Sequence, residues 1–432
     1  MYNIYMKIPY KKRLCDEILK EKLKLFGAVL ITGPKDCGKS TTGEQQSKTF
    51  VYFQDKNLKS KYDAIFNTNP NKILFGDKPI LFDEWQDYRN VWDLIRYDID
   101  KNQVLGGYIL TGSSATDVET SHSGTGRISS LKMYPMSLYE SGESNGTVSL
   151  KELFDDPNKF QKFKCDISYD DYAYLTCRGG WPRIFLIDDK NERIKIAEDL
   201  YYQAYKTDVY KMNKNCDNPI LARQVFESDA RNICTLASNK TIYNDIKVKA
   251  DYRTIDKYIE TLEKLCIIED IPAWNINIKS KAAIRCTPKR NFTDPSFAAA
   301  ALFASPTFLA DNPQIFGFLF ECLVIRDLKI YSGSSYKINY YHDKSGLECD
   351  LVLHNKDGKY ALIEIKLGGD SAYKNGINSL NKLESLIVEY NNNPENKVKI
   401  PLPTFKMVIT GSNEGENIGN NTLIIPLGCL KD

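Results

Sequence analysis

A chain of 432 residues is too long for one ordinary domain and sets a prior of about three. A hydrophobic fraction of 42%, a charged fraction of 26% and a net charge of +2 describe a globular protein with real cores. They exclude a disordered chain, and they exclude polyanion binding through the field of the whole molecule, so any such binding must come from a local basic surface.

Residues 11–26 have the spacing of an amphipathic helix, and GAVLITG (27–33) reads as a short, fully apolar strand ending in glycine. FVYFQD (50–55), KPILFDE (78–84) and GGYILTGSS (106–114) are further β-rich runs separated by polar or helical stretches. Apolar strands alternating with helices predict an α/β fold with a parallel sheet. That pattern stops near residue 145. From about 150 to 215 the chain reads as helical and Tyr-rich, broken by a turn at RGGWPR (178–183); helices follow from 218, and strands dominate again from 336 to 425. No run approaches the ~18 apolar residues of a membrane span, and the opening MYNIYMKIPYKKRLCDEILK lacks the apolar core of a signal peptide, so the expected location is the cytoplasm. Eleven cysteines without a CxxC pair fit reduced thiols, and three histidines argue against imidazole catalysis or a His-rich metal site.

Gly33, Gly38, Lys39 and Ser40 complete GxxxxGK[ST] between the first strand and a predicted helix, the context that defines a P-loop. The loop Gly33, Pro34, Lys35, Asp36, Cys37, Gly38, Lys39, Ser40 and Thr41 would wrap backbone N–H groups around phosphate, with the positive helix end behind it. Lys39 would reach the β and γ oxygens, and the Ser40 hydroxyl would ligate magnesium. PILFDEWQ puts Asp83 and Glu84 at the carboxyl end of an apolar strand, Asp83 to hold the metal through water and Glu84 to act as general base. A solvated strand end can carry two acids by chance, but the P-loop upstream makes the catalytic reading the better one. Thr111, followed by Gly112, Ser113 and Ser114, is the expected γ-phosphate sensor, the alternative being a Ser/Thr-rich turn after a core strand. Arg127, after a glycine-rich segment, would neutralise developing phosphate charge within the chain or from a neighbouring subunit, or is an ordinary surface arginine.

The order GPKDCGKST, ILFDE, YILTGSS, then GR and MYPMSLYES resembles the AAA-family ATPases of bacteria and archaea that carry a C-terminal domain of unknown function. The resemblance implies a GG-P turn, here GGWP (179–182), then a winged helix and a restriction-endonuclease-like fold. The expected domains are an AAA-type P-loop ATPase at 1–148, a helical connecting region at 149–217, a winged helix at 218–300 and an α+β restriction-endonuclease-like domain at 301–432. The resemblance implies ATP with Mg2+ as cofactors, and no guanine-reading NKxD motif is evident. Ring assembly is common among AAA ATPases, so a homo-oligomer stands beside a protein partner as an expectation.

Residues 241–297 also read as a helix-turn-helix from their own spacing, with Ile255, Tyr258, Ile259, Leu262 and Leu265 on one face of the second helix. IIEDI and AAIRCTP would then form the wing. Arg253 and Lys257 on the helix, and Lys279, Lys281, Arg285, Lys289 and Arg290 on the wing, are cations that could meet DNA phosphates; protein docking or internal packing is the alternative. In GLECDLVLHNKDGKYALIEIKLG (346–368) two strands flank a DG turn, so that Asp350 would approach Glu364 and Lys366, which share a sheet face. This is the D…ExK arrangement of restriction-like nucleases, in which the carboxylates share magnesium and the lysine acts on a water. Glu321, on a preceding helix, is where that fold often supplies another acid. The competing expectation is an inert carboxylate–lysine cluster in a retained scaffold.

Overall fold

The computed structural model describes residues 10–112, 123–248, 250–274, 286–343 and 345–432. The chain forms two compact units. One holds the described part of Met1–Pro135 with Trp181–Leu186 and Lys264–Cys266; the other holds Met136–Gly180, Ile187–Glu263 and Ile267–Asp432, again for the described residues.

In the first unit β1 (Ala28–Thr32), β2 (Thr49–Tyr52), β3 (Ile80–Asp83), β4 (Tyr108–Thr111) and β5 (Ile128–Lys132) form one sheet in the order β2-β3-β4-β1-β5. Every pairing is parallel. Helices α1 (Cys15–Leu25), α2 (Lys39–Gln46), α3 (Lys59–Thr68) and α4 (Asn90–Asn102) alternate with the strands. The central β1 and β4 are buried along their whole length, which is why they are apolar up to their terminal threonines, Thr32 and Thr111. Ala28, Leu30, Phe82, Tyr108 and Ile95 belong to the same core. The strand β5 has no counterpart among the expected elements. Its sequence, ISSLK, buries only Leu131, because an edge strand paired on one side alone needs no apolar run.

The second unit is built on a seven-stranded mixed sheet. Its strands are β7 (Lys162–Lys164), β8 (Tyr336–His342), β9 (Glu348–Asn355), β10 (Tyr360–Lys366), β11 (Phe405–Thr410), β12 (Glu414–Gly419) and β13 (Thr422–Pro426), in the order β7-β12-β13-β11-β10-β9-β8. A short parallel pair, β6 (Val148–Ser149) with β14 (Leu430–Lys431), lies apart from it. The expected hairpin about the DG turn is present, β9 and β10 pairing antiparallel from Tyr360–His354 to Ile363–Leu351. The helix Asp370–Asn392 covers the sheet with Leu380, Leu383 and Ile387. The helix Pro313–Ser332 is buried along most of its length, and its Arg326 is fixed by Asp294 at 3.0 Å and Asp327 at 2.7 Å. The stretch expected to be helical from 150 to 215 is mostly so, but β7 leaves that pattern to pair with the sheet edge at β12.

The helices Asn239–Asp245 and Tyr252–Lys264 match the expected helix pair, and the second buries Ile255, Tyr258, Ile259 and Leu262. Antiparallel bridges join Ile268 to Phe292 and Ile271 to Lys289, while residues 282–285 of the expected strand AAIRCTP fall outside the described residues. Lys279, Lys281 and Arg285 fall outside the described residues. Arg253 and Lys257 are exposed. Lys289 and Arg290 are not phosphate-facing cations, because both are buried, 8% and 4% exposed. All eleven cysteines are free. Among the described residues no helix is long and apolar enough to cross a membrane.

Candidate functional site

Three strands of the first unit end at one edge of the sheet. Register pairs Ile31 with Thr111 and Thr111 with Asp83, so the segments after β1, β3 and β4 emerge together. The P-loop follows β1. Gly33 has φ +150°, and a Cβ there would come 2.2 Å from the Met133 carbonyl oxygen, so only glycine fits. Gly38 has φ +102° and begins α2, turning the loop so that Lys39, Ser40 and Thr41 open the helix. Pro34, Lys35, Asp36 and Cys37 lie between the two glycines, with Cys37 buried. Lys39 is itself buried, its Nζ donating to the carbonyls of Gly33 at 3.0 Å and Pro34 at 2.8 Å.

The acidic pair stands across from this loop, separated from it by β4. Thr111 fills that gap and donates through Oγ1 to Asp83 Oδ1 at 2.5 Å. Glu84 holds a left-handed backbone, φ +52°, which for a glutamate stores strain of about 1 kcal/mol or more. Its carboxylate accepts a hydrogen bond from Gln86 Nε2. Burial raises the Glu84 pKa above the usual carboxylate range, with Gln86 and the Lys39 charge opposing it. Such a shift moves a carboxylate toward the proton affinity a general base needs. Ser113 and Ser114 lie outside the described residues.

Arg127 is not brought to this edge. It precedes β5, which starts beside the start of β1 (Ala28 with Ile128), whereas the P-loop follows the far end of β1, ~13 Å along the strands. Its Nε is bonded to Asp100 at 2.7 Å. Two other arginines, neither picked out by motif, do reach the loop. Arg13 is 4% exposed and donates to the carbonyls of Cys37 at 2.9 Å and Tyr134 at 2.8 Å. Arg183 pairs with Asp36 at 2.9 Å, while Pro182 lies where a Cβ on Gly38 would meet it at 3.4 Å. Arg13 lies before the first predicted strand and Arg183 in a distant turn, so only tertiary structure could reveal them.

In the second unit the four expected residues of the D…ExK arrangement come together. Lys366 Nζ lies 2.6 Å from Glu364 Oε2 and 3.2 Å from Asp350 Oδ2, and the Ile365 N–H donates to that same Asp350 oxygen at 2.8 Å. Glu321, from the buried helix, faces a residue that motif reasoning had put on the wing: Lys289 Nζ lies 2.7 Å from Glu321 Oε1, 3.7 Å from Asp350 Oδ1 and 3.3 Å from the Asp350 carbonyl oxygen. Glu321, Asp350, Lys289 and Lys366 line a cavity of about 940 Å³ together with Tyr340 and His342. Burial pushes Glu364 up to about 8 and Glu321 up to about 7. It acts on Asp350 in the same direction, yet Lys289 and Lys366 outweigh it and hold that carboxyl low. Burial disfavours the ammonium of Lys289, but Glu321 and Asp350 outweigh burial and raise its pKa. Among the described residues no three His, Cys, Asp or Glu groups gather as a metal site.

Residues 26–142 match the family described as AAA domain, residues 169–307 match a domain of unknown function (DUF8612), and residues 316–430 match another (DUF4143). No curated protein matches the chain. Among solved structures, a Walker-type ATPase of Pyrococcus abyssi is similar at 15% identity and a TM-score of 0.40, over 66% of this chain and 94% of that one. The N-terminal region thus matches the AAA domain family over the strands and loop that carry the P-loop sequence, and the C-terminal regions match families without assigned function.

Proposed function

We propose that the first unit is a magnesium-dependent ATPase whose turnover drives or gates the second. One observation carries the reading: the P-loop, Asp83 with Glu84, and Thr111 share a single sheet edge, with β4 spacing the loop from the acids. The N–H groups of Gly38, Lys39 and Ser40 would hold the β-phosphate at the helix start. Lys39 would leave the Gly33 and Pro34 carbonyls for the β and γ oxygens. The Ser40 hydroxyl and the Asp83 carboxylate are hard oxygen donors of the kind a magnesium ion accepts, and they would be its protein ligands. Bound with the nucleotide, that ion would supply neutralisation of phosphate charge. Glu84, poised by Gln86, would take the proton of the attacking water, and Thr111 would fix the orientation of Asp83 and sense the γ-phosphate. ATP is preferred to GTP on the family resemblance.

Steady-state phosphate release should fall ~10²-fold or more in Glu84→Gln while fluorescent-nucleotide binding persists. A second reading, a slow nucleotide-controlled DNA- or protein-binding switch, is favoured by the hold of the loop carbonyls on Lys39. Equally slow release from both proteins would select it. Coupling to DNA through Arg253 and Lys257 belongs to the same proposal, and ATPase rates with and without duplex DNA test it. Burial of Lys289 and Arg290 removes two cations from that surface and favours a packing role for this part of the helix-turn-helix.

A further inference from the structure

The restriction-like reading of the second unit requires a divalent cation held by Asp350 together with Glu364 and the helix acid Glu321, and the residues present do not fit one. Each carboxylate of the cluster already faces an ammonium: Glu364 and Asp350 Oδ2 face Lys366, while Glu321 and Asp350 Oδ1 face Lys289. The D…ExK pattern accounts for Lys366, but Lys289 comes from a different segment and has no part in that pattern. Its position is fixed from both ends. The Lys289 N–H donates to the Ile271 carbonyl at 2.9 Å and its carbonyl accepts from the Ile271 N–H at 2.8 Å, so the base of the side chain is held while the tip is buried against Glu321. A dication entering here would stand beside two ammonium groups and would have to displace one that the backbone tethers.

We propose that Lys289 is the resident cation of this cavity, taking the place of a metal between Glu321 and Asp350 and closing the site to magnesium and manganese. The cavity then works as a pin that ties the segment 286–290 to the helix Pro313–Ser332 and to β9, not as a hydrolytic centre. The claim stands whether or not the first unit hydrolyses ATP.

The test is manganese titration of full-length, nucleotide-free protein, followed by the loss of the free-ion electron paramagnetic resonance signal. Asp83→Asn is present in every sample so that the first unit does not contribute. Protein with Lys289 intact should leave the manganese signal unchanged, and Lys289→Met should bind a single ion, ~10-fold or more tightly than the parent, with that binding lost again on adding Asp350→Asn. Manganese bound by the Lys289-intact protein and lost with Asp350→Asn overturns the proposal irrespective of any Lys289 variant. A folded Lys289→Met protein that binds no manganese also overturns it, since another group would then be what excludes the ion. Should the Met variant fail to fold, Lys289→Gln, which keeps a hydrogen bond to Glu321, replaces it with the same expectations.

Discussion

Both units set a lysine near carboxylates at strand ends, and the two arrangements have opposite electrostatic logic. In the first, Lys39 is tied to backbone carbonyls, and Asp83 and Glu84 are held by the neutral side chains of Thr111 and Gln86. Among the described residues neither acid forms an ion pair, so the edge keeps polar groups for a ligand to meet. In the second, Lys366 and Lys289 lie directly on Glu364, Asp350 and Glu321, so the ammonium and carboxyl groups satisfy one another inside the fold. The same residue types therefore stand apart from one another at one sheet edge and pair among themselves in the other cluster, and what separates the two is where the ammonium is anchored.

The comparison breaks most visibly at Lys366. If the second cluster is structural, Lys366→Met leaves two buried carboxylates short of a partner and lowers the stability of that unit by about 2–4 kcal/mol. Urea denaturation followed by tryptophan fluorescence measures it, and ATP turnover at low temperature should stay within about twofold. Thr111→Val is the counterpart in the first unit. It removes a neutral holder of Asp83 and should lower the ATP turnover number ~10-fold with little change in melting temperature, read by a coupled phosphate assay. The smallest effect is a pH slope. Asp229 is buried beside Arg290, and burial raises its pKa from 3.8 to about 7 despite the arginine. A carboxyl raised on folding contributes stability that is fully present below pH 3.8 and is lost as pH rises through 7, because the folded state binds the extra proton. Urea midpoints measured from pH 4 to 8 should therefore fall less steeply in Asp229→Asn than in the parent protein.

The sheet edge of the first unit was largely legible from sequence because its signals are local. The P-loop spacing, the apolar strand before Asp83 and the small hydroxyl after YIL each lie within a few residues, and parallel register then aligns them. The cluster around Lys289 was half legible. Alternation in IEIK put Glu364 and Lys366 on one face and the DG turn brought Asp350 opposite, but a lysine and an arginine in TPKRNF read as surface charges by default. Their burial depends on acids far away in sequence, Glu321 and Asp350 for one, Asp229 and Asp270 for the other. Arg127, expected either at a phosphate or as a surface arginine, could not be placed from sequence for a related reason. The motif order carried no sign of β5, so nothing indicated which end of the sheet the arginine occupies. A polar edge strand such as β5 or β7 leaves little trace in hydrophobic pattern.

The return of Trp181–Leu186 to the first unit bears on how that unit can be isolated. A fragment ending at the close of the AAA match would keep every motif residue yet lose Pro182 from beside Gly38 and the guanidinium that grips Asp36. The loop is thus packed against residues translated well after it, and a nascent chain gains those contacts only once the GGWPR turn has left the ribosome.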